Sequence, residues 1–344
     1  MRWAAILFIA APLLLLLVAG VSALLHGDST RSLLRGLRYL LVTELALLIV
    51  IAATGAVYEA RSRSRDQRRY RPPGKLIDVG GYKLHLYCSG SGSPTVVLDF
   101  GLEGSYLDWR RVQPEVARFT RVCSYDRGGY GWSDPSPKPR VPSVMMEELH
   151  TLLVAAGEKP PYILVGHSYG GFDAIMYAHK YADETAGVVL VDSSYPGDQL
   201  PFYWRRKFWL RMNQLTMPFG LPRWRKWCGD DSGEIGLIKK AFSCQSRVPA
   251  TAYFQFAAFP ESAAEIRALG SLGSVPLVVV SRDPMHNSDL GVRGQRWQRY
   301  QRELAQLSTN STQVFAEGSG HDVPGERPDV VVEAIRGLAL GARL

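Results

Sequence analysis

Two long apolar stretches open the chain, and a different pattern follows them. Trp3 to Leu25 carries no charge, and Tyr39 to Tyr58 contains only Glu44. Each is about as long as a helix must be to cross a bilayer. A helix apolar on every face has no polar side to turn toward water. The pattern predicts a transmembrane helical hairpin joined by His26 to Arg38, with Pro12 as a tolerated kink. Read otherwise, the first stretch is a cleavable signal peptide ending near Val21-Ser22-Ala23, although its charged leader is only Arg2. Glu44 lies near the start of the second stretch, where it can snorkel or pair with Arg38 or a headgroup.

Arg71-Pro72-Pro73-Gly74 reads as a linker, and beyond it short apolar runs alternate with helical stretches. That alternation predicts an α/β architecture, a mostly parallel sheet with helices on both faces. Strands are expected from Leu76 to Tyr87 (one or two, around Gly80-Gly81), Thr95 to Phe100, Arg121 to Tyr125 and Tyr162 to Val165. Three more are expected from Gly187 to Val191, Pro276 to Ser281 and Gln313 to Ala316. Helices are expected from Asp108 to Phe119, Val144 to Ala156, Phe172 to Lys180, Gly294 to Leu307 and Pro328 to Leu340. The implied division is a membrane anchor over 1–71, a core over 72–195 and 269–344, and a cap inserted at 196–268.

Charge changes the picture only once it is divided. The 344 residues carry a formal +8, and residues 1–71, with ten Arg against four acids, account for +6. The rest is nearly balanced, so the high isoelectric point implies no nucleic-acid partner. Six Arg lie between Arg61 and Arg71, directly after the second apolar stretch. Such a run stays on the cytoplasmic side and attracts anionic lipid heads. The expectation is a multi-pass membrane protein whose main domain faces the cytoplasm.

The candidate chemistry centres on Gly166-His167-Ser168-Tyr169-Gly170, between the apolar run at Tyr162 to Val165 and a helical stretch. A serine on so abrupt a strand-to-helix turn has strained backbone angles and an exposed hydroxyl. Together with Tyr125-Asp126-Arg127-Gly128-Gly129-Tyr130-Gly131-Trp132-Ser133-Asp134, a segment like that of esterase-like and peptidase-like members, and Gly318-Ser319-Gly320-His321, this motif resembles the α/β-hydrolase fold superfamily, as a serine esterase- or lipase-like member with a cap insertion. The likeness covers about residues 76–340. It implies an eight-stranded-type sheet, a serine nucleophile at Ser168 and His321 as its base. It places the acid at Asp283, after the seventh strand, with Asp192 at the end of the sixth as the alternative. The oxyanion donors it implies are the backbone N–H groups of Leu102 and Tyr169. Where many relatives have His-Gly, this chain has Phe100-Gly101, which puts the support of that loop in question. His167 is expected to point away from the serine as a packing residue, and His286 lies in a loop near Asp283.

From Phe202 to Trp227 the cap region has no acid, and seven Lys or Arg alternate with aromatic residues. That composition suits a membrane interface or an anionic, partly apolar substrate, as well as an ordinary basic face over core aromatics. In the strand order the resemblance implies, Cys88 and Cys123 lie on neighbouring strands, and Cys228 with Cys244 could close a cap loop. Two disulfides would imply an oxidising compartment, against the arginine rule, while buried thiols would not. No metal-ligand spacing is present, and no cofactor is expected. The reading is a membrane-tethered serine hydrolase of carboxylic esters, with a small ester or acyl substrate and the bilayer as partners. Amide or peptide hydrolysis and acyl transfer use the same triad. A non-catalytic ligand-binding or scaffold protein is the alternative of another class.

Overall fold

The computed structural model describes residues 30–197, 203–229, 233–286 and 291–341. The first apolar stretch, and with it the hairpin, lies outside them. The chain divides into two units, residues 1–62 with 218–221, and residues 63–217 with 222–344.

The described residues of the first unit are mostly those of α1 (Thr30–Arg69), whose last residues belong to the second. Its stretch Leu34–Arg69 is long and apolar enough to cross a membrane. Leu41, Val42, Leu48 and Val50 are all more than half exposed, so this helix shows apolar side chains to its surroundings on several faces. One expectation is corrected here. The described part of the predicted hairpin loop, Thr30 to Arg38, is already helical, because Leu and Arg are strong helix formers and one Gly36 does not outweigh them. The arginine run to Arg69 also continues the helix, which stops just before Arg71-Pro72-Pro73, where proline disfavours the helical conformation of its predecessor.

The second unit is an eight-stranded sheet in the order β1-β2-β4-β3-β5-β6-β7-β8. The strands are β1 (Lys75–Asp78), β2 (Lys83–Ser89), β3 (Thr95–Asp99), β4 (Val122–Asp126), β5 (Tyr162–His167), β6 (Thr185–Val191), β7 (Leu277–Arg282) and β8 (Ser311–Ala316). Pairings β1–β2 and β2–β4 are antiparallel, and all others are parallel. The strands are apolar on both sides because both faces are covered. On β5, Tyr162 and Leu164 enter one core with α2 (Pro142–Ala156) and α3 (Gly170–Lys180), while Ile163 and Val165 enter the other. That second core contains Val331 and Ile335 of the C-terminal helix Pro328–Leu340.

The helix expected from Asp108 to Phe119 is broken into a 3-10 turn, Tyr106–Trp109, and a single α-turn, Gln113–Val116. Asp108 is used up in a capping box with Ser105, and Pro114 cannot supply an N–H to a continuing helix. Between β6 and β7 come α4 (Tyr203–Thr216), α5 (Gly233–Ser243), α6 (Arg247–Ala257) and α7 (Phe259–Leu269). Phe259, Ala263 and Ile266 of α7 join the main core, whereas Leu210 of α4 and Val248, Ala252 and Phe256 of α6 form a separate cluster with Phe100 and Tyr130.

All four cysteines are paired. Cys88 and Cys123 face each other across the β2–β4 ladder, and Cys228 joins Cys244 in the insertion. Disulfides of this kind belong to oxidising compartments. They oppose the cytoplasmic placement that the arginine run implies.

Candidate active site

The parallel strands deliver their following loops to one edge of the sheet, where the chemistry-bearing residues collect. Ser168 follows central β5 with φ +53, a left-handed conformation that only a tightly built turn imposes on serine. Gly166 and Gly170 make the turn possible. A Cβ on Gly166 would sit 2.2 Å from the Gly170 carbonyl oxygen, and one on Gly170 would sit 2.7 Å from that of Asp99. The Ser168 carbonyl accepts the N–H groups of Gly171 at 3.1 Å and Ser194 at 2.9 Å, which ties the elbow to the strand beside it.

His321, in the loop after β8, places Nε2 3.0 Å from the Ser168 hydroxyl oxygen. Its Nδ1 lies 2.5 Å from Oδ2 of Asp192, the first residue after β6. Asp192 is fully buried, with φ +41, and it has two further partners. Arg282 donates from Nε to Oδ2 at 2.7 Å, and Trp297 donates from Nε1 to Oδ1 at 2.7 Å. Burial pushes this carboxyl up, but the His321 hydrogen bond, the Arg282 charge and the Trp297 N–H outweigh it and hold it below the usual range. An ionised Asp192 fixes the tautomer, with the Nδ1 proton on the aspartate side and Nε2 free to accept from serine.

This corrects the acid assignment. Asp283 is one residue beyond β7, and the strand alternation turns Arg282 toward Asp192 and leaves Asp283 facing out. Its carboxylate accepts the N–H of Gly318 at 2.8 Å and that of Met285 at 2.7 Å, and these bonds hold it below its ordinary value. The structure brings Ser168, His321 and Asp192 together and gives Asp283 to the turn beneath the histidine loop.

One other expectation changes. His167 does not point away from the site. It lines the same cavity as Ser168, its Nε2 hydrogen-bonds the His321 carbonyl at 2.8 Å, and the two rings lie 4.9 Å apart. Burial, then the neighbouring His321, lowers its pKa to about 4, so it is neutral near pH 7 and serves as a strut. His286 places its ring beside Gly320, one residue before His321.

Arg127 answers the question raised by Phe100-Gly101. Its guanidinium is buried and donates to the carbonyls of Phe100 at 2.9 Å and Gly101 at 2.7 Å. It also pairs with Asp99 at 2.8 Å and Asp173 at 2.9 Å, and it stacks on the Phe100 ring at 4.1 Å. Burial pushes the Asp173 carboxyl well up, Asp99 adds to this, and Arg127 opposes it. The loop is thus fixed from its carbonyl side, leaving the N–H of Leu102 unused among the described residues, as is that of Tyr169. The sequence carried a signal for this brace, an arginine in the segment after β4, but not its target.

The cavity at the serine has a volume of about 270 Å³. Loop residues Gly101, Leu102 and Glu103 form one wall, and Arg206, Leu210, Ala252 and Phe256 from the insertion form its roof. Arg206 pairs with Glu103, and both line the cavity. Among the described residues one group has metal-ligand geometry, Cys88, Cys123 and Glu158, and both of its sulfurs are consumed by the disulfide.

Set beside known proteins, the chain resembles uncharacterized protein YbdG of Bacillus subtilis, with 27% identity over 168 residues, 48% of this chain and 52% of that one. The match therefore spans about half of YbdG. Uncharacterized protein YqjL of the same organism is 26% identical over 263 residues, 76% of this chain and 90% of that one. A thermophilic esterase from Thermogutta terrifontis shares the fold at 24% identity and a TM-score of 0.56, over 76% of this chain and 94% of the esterase. The model of the alpha/beta hydrolase family matches residues 86–334, from β2 through the histidine loop into the last helix. With that match laid over the strand order and the serine elbow, the chain belongs to the alpha/beta hydrolase family.

Proposed function

We propose that the protein is a membrane-tethered serine hydrolase acting on carboxylic esters through an acyl-enzyme. The observation that carries this reading is the Ser168–His321–Asp192 relay, with contacts of 3.0 and 2.5 Å. His321 Nε2 removes the proton as the Ser168 oxygen attacks the ester carbonyl, and the two idle N–H groups of Leu102 and Tyr169 receive the developing oxyanion. His321 then returns the proton to the leaving alcohol, and water repeats the sequence to release the acid. The Asp192 carboxylate balances the imidazolium through both steps, and Arg282 with Trp297 keeps it ionised and oriented. The test is turnover of nitrophenyl esters by the purified full chain and by Ser168→Ala. Turnover confined to the parent chain supports the reading, and comparable turnover by the variant removes it. Faster cleavage of a matched anilide would favour amide hydrolysis on the same residues.

The tether in this reading is α1, whose apolar stretch supports membrane association. We place the catalytic unit on an oxidising side of that membrane. The two disulfides lie within the catalytic unit itself, whereas the arginine argument needs a first span that lies outside the described residues.

A further inference from the structure

Helix α4 carries two faces with opposite tasks. Leu210 and Asn213 are buried, and with Arg206 and Met217 they line a second cavity of about 470 Å³. That cavity shares Glu103, Arg206 and Leu210 with the cavity at Ser168, so the two adjoin at these residues. Leu210 also packs in the cluster holding Phe100, next to the oxyanion loop.

The outward face is apolar. Trp204, Phe208, Met212 and Leu215 follow one another at helical spacing and are 71%, 63%, 37% and 61% exposed. Phe254 of α6, 54% exposed, lies beside the same helix, with Arg211 over its ring at 5.9 Å. A helix that needed only to roof a cavity would turn a polar face to water. This one presents a stripe of large apolar side chains, of the kind that marks an interaction surface. Residues 203–227 contain seven Lys or Arg and no acid. Basic residues flanking a Trp- and Phe-bearing apolar stripe fit the headgroup layer of an anionic bilayer. A second copy of the same patch would bring like charges together, which disfavours self-association through it.

We propose that the outward face of α4 seats in an anionic bilayer surface, and that the cleft beneath it passes amphiphilic esters from that surface to Ser168. The docking half stands on the helix alone, and the substrate half rests on the serine-hydrolase reading above.

The full chain, reconstituted into phosphatidylcholine vesicles with or without phosphatidylglycerol, tests both halves. With acyl-chain-brominated phosphatidylcholine present, the Trp204 share of the emission, obtained by difference from Trp204→Phe, is expected to be quenched in the anionic vesicles and much less in the neutral ones. Unquenched Trp204 emission overturns the docking, as does cross-linking of this face to a second copy or to another protein. Equal quenching in both vesicle types overturns the anionic surface. For the substrate half, the double variant Phe208→Ser/Leu215→Ser is expected to hydrolyse a vesicle-borne long-chain ester about tenfold more slowly, since two apolar anchors are lost. Hydrolysis of soluble nitrophenyl acetate should be unchanged. Equal losses on both esters would make α4 a structural roof only. Failure of the parent chain to cleave either ester would sink the hydrolase reading, while the quenching would still decide the docking.

Discussion

The acid of the relay separates what the sequence carries from what only packing decides. Asp192→Asn is expected to lower kcat by about 10³–10⁴-fold, because an amide stabilises the wrong tautomer of His321. Asp283→Asn should stay within a few-fold, since its exposed carboxylate only braces the turn at Gly318. Steady-state kinetics on both variants at matched folded fraction decides the matter, and a larger loss for Asp283→Asn would restore the sequence assignment. Ser168 and His321 were legible because their motifs are local. The acid was not, because the choice between two neighbouring strand ends turns on which residue of Arg282-Asp283 faces inward, and no motif records that parity. His167 offers a second test. Its folded-state pKa of about 4 lies below the ordinary value of 6.5. Between those values the unfolded chain holds a proton at this site that the folded chain refuses, so stability is full above about pH 6.5 and falls as pH drops toward 4. Melting temperatures from pH 7 to 4.5 should fall less steeply for His167→Gln than for the parent.

At the scale of elements, the strand-helix alternation located the strands, with β1 and β2 left as one or two, and the core helices after Val144 to within a few residues, but it gave no helices for the insertion. It failed from Asp108 to Phe119, where the apolar spacing suited a helix but Pro114 and the Ser105–Asp108 capping box split it. The loop after β3 was legible by its position, yet its support was invisible, since Arg127 reaches it from the loop after β4. Arg127→Met is expected to cost about 3–5 kcal/mol, because Asp99 and Asp173 would keep buried carboxyls with no cation between them. A urea midpoint unchanged from the parent would show that the brace is dispensable. Arg127→Lys should fold better but turn over more slowly, as a single ammonium cannot hold two aspartates and two carbonyls with the same geometry.

For the molecule as a whole, apolar length predicted two spanning helices; the described residues hold one helix long and apolar enough to span, α1, and the first stretch lies outside them. Sidedness is where two sequence signals disagree, arginines near the span and cysteines that pair. If the catalytic unit faces an oxidising compartment, alkylation of native membranes should modify none of the four cysteines until reductant is added. Reducing the Cys88–Cys123 bridge, which closes a separation of 35 residues, should then cost about 2–5 kcal/mol. Prompt alkylation of all four thiols without reductant would return the unit to the cytoplasm.

The most direct measurement of the central claim is covalent trapping of the nucleophile. The full chain treated with a fluorophosphonate should gain one adduct, located by peptide mass spectrometry on the segment containing Ser168. Its rate should collapse in His321→Ala and Asp192→Asn and remain near the parent value in Asp283→Asn. An adduct on another residue, or labelling that survives loss of His321 and Asp192, would contradict the relay.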